Sequence, residues 1–111
     1  MNNKKVSLLE AIEQLKQEAE KQFTVLMRHG TMSVEYFAPK KIDTQAPHQQ
    51  DELYVIARGH GSFNRDGESL ECKAGDVLFV PAGMPHQFES FTDDFATWVI
   101  FYGPTGGETK A

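Results

Sequence analysis

A chain of 111 residues, 40% hydrophobic and 24% charged, is long enough for one compact domain and too short for two. Its net charge of -5, with paired lysines only at Lys4-Lys5 and Lys40-Lys41, excludes the basic footprint of a nucleic-acid partner. No apolar run approaches the roughly 20 residues of a membrane span. The polar start, Met1-Asn2-Asn3-Lys4-Lys5, and the lone Cys72, which can form no intrachain disulfide, point to a reducing, cytoplasmic setting.

Ser7 followed three positions on by Glu10 fits a helix capping box. Leu8, Ile12, Leu15 and Ala19 then recur at helical spacing, which predicts a helix over 8–21 with its apolar stripe on the rest of the protein. After Gln22 the pattern changes to short runs rich in β-branched and aromatic residues. Strands are predicted at Phe23–Met27, Ser33–Ala38, Leu53–Ala57, Val77–Val80, His86–Ser90 and Phe95–Tyr102. Gly61–Phe63 and Leu70–Cys72 flank Asn64-Arg65-Asp66-Gly67, a hairpin signal. So many short strands at regular spacing make the chain an all-β barrel or sandwich. The organisation expected is a helical segment over 1–22, a barrel over 23–102 and a loose tail over 103–111.

The chemistry concentrates at two places. Gly75-Asp76-Val77-Leu78-Phe79-Val80-Pro81-Ala82-Gly83-Met84-Pro85-His86 reads as a glycine turn, an apolar strand and a stiff turn that sets one imidazole at the start of the next strand. His48 and Glu52 precede the run Leu53–Ala57, and in an extended segment residues 48, 50 and 52 share a face. Two histidines and a carboxylate at strand mouths suit a small divalent-metal site. His29, at a strand end, is assigned a structural or pocket-lining role. His60, between two glycines, should be exposed, and Cys72 should be a small packed residue. No Gly-x-Ser-x-Gly nucleophile elbow is present, and the glycines near residue 60 open no helix that would cradle a phosphate.

These residues carry a resemblance to the cupin superfamily, in particular its small single-domain bacterial members. The second cupin motif is similar to Gly75, Pro81, Gly83 and His86, with every spacing met; Ser90 stands where the family commonly has Asn. The first motif ends in a glutamate and, after six residues, a glycine, which Glu52 and Gly59 match. One histidine of its usual His-x-His pair is missing. Either Ala46 replaces the first and His48 is the second, or His48 is the first and Gln50 replaces the second.

The resemblance implies a double-stranded β-helix, the cupin jelly-roll barrel, with one N-terminal α-helix and often a homodimer. It implies one divalent metal ion (Fe, Zn, Ni or Mn) on His48, Glu52 and His86. Gln50 is a candidate fourth ligand, because relatives such as the phosphomannose isomerases accept a glutamine there. Tyr54 and Phe88, each two residues from an expected ligand, should point the same way and line an apolar cavity. The expected activity is that of a metal-dependent enzyme, a dioxygenase-like oxidoreductase or an isomerase, acting on a small organic molecule. A cupin that only binds or senses a small ligand is the alternative, since fold and function are loosely tied.

Overall fold

The computed structural model describes residues 4–18, 20–43 and 45–109. Among them one helix and eight strands follow in the order α1 (Leu8–Gln17), β1 (Phe23–His29), β2 (Met32–Phe37), β3 (Asp51–Arg58), β4 (His60–Arg65), β5 (Glu68–Lys73), β6 (Val77–Val80), β7 (His86–Phe91) and β8 (Ala96–Tyr102). The strands form two antiparallel sheets, ordered β1-β2-β8-β3-β6 and β5-β4-β7. This is the all-β fold with one N-terminal helix read from the sequence.

The capping box is present in full. Ser7 Oγ accepts from the Glu10 amide, and the Glu10 carboxylate accepts from the Ser7 amide, each at 3.1 Å. The helix is shorter than predicted. The Glu18 amide turns back to the Leu15 carbonyl at 3.0 Å, and Glu20 takes the left-handed φ of 72°, reversing the chain towards β1. Ala19, the last position of the predicted stripe, lies outside the described residues. Leu8, Ala11, Ile12 and Leu15 pack on Leu26, Tyr36, Ala96 and Trp98, on the outer face of the larger sheet.

Alternation along the strands sends a second set of side chains between the sheets. Phe37, Tyr54, Ile56, Val99 and Phe101 of the larger sheet meet Phe63, Cys72 and Phe88 of the smaller one. The centre is an aromatic stack, with ring centroids 4.7 Å apart for Phe63–Phe88, 5.1 Å for Tyr54–Phe88 and 4.9 Å for Phe88–Phe95. Cys72 is buried, its Sγ donates to the Gly61 carbonyl, and desolvation pushes its thiol up to about 11, so it is an inert packing residue. The β4–β5 hairpin turns on Asp66 and Gly67, both at positive φ, while the Gly67 amide donates to Asn64 Oδ1.

The tail is not loose over its described part. The Gly103 amide donates to Thr31 Oγ1, the Gly106 amide to the Gln49 carbonyl and the Glu108 amide to Asp51 Oδ2. Asp51 Oδ1 also accepts from the Ala82 amide at 2.9 Å, so one carboxylate ties the tail and the β6–β7 turn to the start of β3. Glycines at 103, 106 and 107 take positive φ, which lets the described part of the segment fold back on the barrel.

Two outcomes are expected. Phe88→Ala should lower unfolding free energy by about 3–5 kcal/mol, measured by urea denaturation. The Ala82 and Glu108 amides hold the Asp51 pKa below its ordinary 3.8. The stabilisation from Asp51 is therefore complete above that value and is lost as pH falls through the lower, folded-state pKa. Asp51→Asn should flatten the acid limb of the stability–pH curve, and a variant curve parallel to wild type below about pH 4 would contradict this role.

Candidate metal centre

Glu52 is the second residue of β3, and the alternation that buries Tyr54 and Ile56 also points its carboxylate between the sheets. His86 is the first residue of β7, in the opposite sheet. The turn before it is held by the Met84 amide on the Pro81 carbonyl and by the Asp66 amide on the Pro85 carbonyl. His48 lies ahead of β3, and its carbonyl accepts from the Gly83 amide at 2.7 Å, which fastens its segment to that same turn. Three separate stretches thereby bring one ligand atom each from His48, Glu52 and His86 within 4.8 Å of one another. Glu52 is 1% and His86 6% exposed.

The hydrogen bonds define what these atoms offer. His86 Nδ1 lies 2.9 Å from the Met84 carbonyl, which can only accept, so Nδ1 carries the hydrogen. In the neutral imidazole Nε2 then presents a lone pair, 2.9 Å from Glu52 Oε1. The contact is short but has no hydrogen-bond geometry, and Nε2 and both Glu52 oxygens are otherwise without partners. Lone pairs facing each other in a buried space require a cation, either a proton or a metal ion. Burial works against charge on His86, yet the Glu52 carboxylate, the Met84 carbonyl and Asp43 outweigh it and raise its pKa. His48 shifts the other way: burial lowers its pKa, Glu52 opposes this and His86 adds to it. Neutral His48 and electron-rich His86, oriented by a backbone carbonyl, have the character of metal ligands, and the donor set fits a divalent transition ion.

The other expected residues fall in different places. Gln50 clamps the structure: its Nε2 donates to the carbonyls of Thr31 and Gly103, both at 2.9 Å. Tyr54 and Phe88 point inward as expected but are packed in the core behind the ligands, 0% and 1% exposed, and do not form the wall of the open cavity. His29 ends β1 in an exposed position and lines neither of the cavities that reach His48. The reason is register: β1 lies at the sheet edge, and its buried residues, Thr24 and Leu26, alternate onto the helix side. His60 is exposed, as expected.

A cavity of about 550 Å³ reaches His48 between Phe37, Val99, Phe101, Glu35 and Gln45. A shallower one, about 310 Å³, approaches His48 and Glu35 from the side of Ser33 and Thr105. The sequence reading missed three polar residues here. Asp43 is fully buried and accepts from the Phe88 amide and from Gln45. Gln45 meets both His48 and Tyr54. Glu35 faces the cavities from β2, and burial raises its pKa despite Arg28, with Glu52 adding to the rise. Only Glu35 had a signal available in sequence, as a carboxylate in phase with Ser33 and Phe37 on an otherwise inward-facing stripe.

A groove of about 490 Å³ beside α1 lies on the other side of the larger sheet and touches none of His48, Glu52 and His86. No helix among the described residues is long and apolar enough to cross a membrane.

Known proteins agree with this architecture. The chain is 34% identical over 80 residues to the uncharacterized protein SCO3923 of Streptomyces coelicolor, matching 70% of this chain and 76% of that one. It is 36% identical over 74 residues to an acireductone dioxygenase of Geobacillus thermodenitrificans, covering 60% of this chain but only 41% of the dioxygenase. A crystal structure of a cupin superfamily protein from Desulfitobacterium hafniense superposes with a TM-score of 0.62 at 21% identity, over 71% of this chain and 73% of the other. Residues 33–102 match the family model described as the cupin domain, and with the two-sheet barrel around His48, Glu52 and His86 this places the chain in the cupin family.

Proposed function

We propose that this cupin holds one divalent transition-metal ion on His48, Glu52 and His86 and uses it in an enzymatic reaction on a small organic molecule, of dioxygenase or isomerase type. One observation carries the reading: donor atoms of half-buried His48 and buried Glu52 and His86 converge, and those of Glu52 and His86 face each other with no hydrogen between them in the neutral state. A bound ferrous ion supplies dioxygen activation, whereas zinc, nickel or manganese supplies Lewis acidity towards a carbonyl or diol. The partial similarity to an acireductone dioxygenase supports the oxygen-dependent branch.

The chain's own groups account for the rest. Met84 fixes the His86 ring so that its Nε2 faces inward. Glu52 offsets part of the ion's charge. Phe37, Val99 and Phe101 give the cavity an apolar wall that limits water around a bound molecule. Glu35, whose pKa burial raises, is the carboxyl placed to exchange a proton with that molecule. The same reading includes a homodimer, supported by β6, an edge strand whose Val77 and Phe79 are 60% and 43% exposed.

Protein purified without chelator or nickel affinity should carry close to one metal ion per chain by elemental analysis. His86→Ala should bind it more than about 100-fold more weakly. Stoichiometric metal in that variant would refute the assignment. Sedimentation velocity should give a dimer at micromolar concentration that Val77→Lys converts to monomer, and a wild-type monomer would refute the dimer.

A further inference from the structure

The reading above leaves the ion with three protein donors. Gln45 presents a further one, and its orientation is determined by its neighbours. Its Nε2 donates to Asp43 Oδ2 at 2.8 Å. Asp43 is itself immobilised, 0% exposed, with Oδ2 accepting from the Phe88 amide at 2.8 Å and Oδ1 from the Gln45 amide at 3.0 Å. Exchanging the amide oxygen and nitrogen would set an oxygen against a buried carboxylate, so the Gln45 oxygen must face the other way.

On that side Oε1 has two neighbours. The Tyr54 hydroxyl donates to it at 3.0 Å, which occupies one lone pair. The other lone pair faces His48 Nε2 at 3.3 Å. That separation is long for an N–H···O hydrogen bond, whose usual length is about 2.9–3.0 Å. It suits two donors bound side by side on one ion, since bonds of about 2.1 Å at right angles put their donors about 3 Å apart. Gln45 also lines the cavity that reaches His48, on the route by which a small ligand would approach.

We propose that Gln45 Oε1 is a fourth protein ligand to the metal, adjacent to His48, with Asp43 and Tyr54 holding its amide in place. The assignment rests on the metal reading for His48, Glu52 and His86 and extends it to a donor set of two imidazoles, one carboxylate and one neutral amide. It gives Gln45, not Gln50, the glutamine role at the centre, because the amide oxygen that meets His48 is that of Gln45, whereas the Gln50 side chain is anchored on the Thr31 and Gly103 carbonyls. The competing arrangement has His48 donating its Nε2 hydrogen to Gln45 and binding the ion through Nδ1; Gln45 would then be a positioning residue.

Mn²⁺-loaded protein distinguishes the two. Its affinity is read from free Mn²⁺ by electron paramagnetic resonance, and the number of exchangeable metal-bound waters from water-proton relaxation. Gln45→Ala should gain one bound water and lose at least about tenfold in affinity, while Gln50→Ala changes neither. An unchanged water count in Gln45→Ala, whatever its affinity, overturns the proposal and leaves the three-residue site standing. If that variant fails to fold by circular dichroism, wild-type protein with glutamine isotopically labelled at the side-chain carbonyl carbon provides the test. A carbon hyperfine coupling at bonded range is expected in electron–nuclear double resonance, and its absence overturns the proposal. Wild-type protein that binds neither Mn²⁺ nor Zn²⁺ overturns it together with the metal reading itself.

Discussion

Glu52 and His86 face each other across the interior from different sheets, with Oε1 and Nε2 2.9 Å apart. Most of the structure near them serves that juxtaposition. Unpaired buried acceptors are costly, so they persist only where packing holds them together and a cation offsets them. The Phe63, Phe88 and Tyr54 stack joins the sheets directly beside the pair, with His86 6.0 Å from Tyr54 and 6.2 Å from Phe63 between ring centroids. Fixing the depth of this aromatic core also fixes how far apart the two donors can move. The pair ties the packing of the barrel to the geometry of the candidate site, because both depend on the same separation between sheets.

The loop through Asp43, Gln45 and His48 adds the part that strands alone do not supply. It is held at both ends, by Asp43 on the Phe88 amide of β7 and by the His48 carbonyl on the Gly83 amide. Both anchors lie on the segment that carries His86. The two histidines are therefore positioned by one connected set of hydrogen bonds, and their rings stand 5.4 Å apart. Burial and neighbouring carboxylates then push the two imidazoles in opposite directions, His48 towards the neutral form and His86 towards the protonated one.

Much of the candidate site was legible in the residues because its strand residues obey local rules. Glu52 precedes an alternating run, and His86 follows a turn whose Pro81, Gly83 and Pro85 leave few conformations open. His29 misled because a strand-end histidine looks the same in sequence whether its strand is central or at an edge. Gln50 shares the phase of His48 and Glu52, and carbonyls from Thr31 and Gly103, distant in sequence, anchor its amide nitrogen. The residue that does meet His48 is Gln45, placed by a carboxylate whose partner is the Phe88 amide, 45 positions away.

The sequence by itself determined the all-β class, the capped helix, the strand positions and the spacing of His48, Glu52 and His86, because periodicity, capping and turn chemistry act over a few residues. Tertiary structure alone decided that the helix stops at Gln17, that 103–109 folds back onto Asp51 and Gln49, that Tyr54 and Phe88 lie behind the ligands, and that Asp43, Gln45 and Glu35 surround them. Each of these outcomes depends on which groups from distant segments compete for the same carbonyl, carboxylate or volume. Local pattern carries no record of that competition.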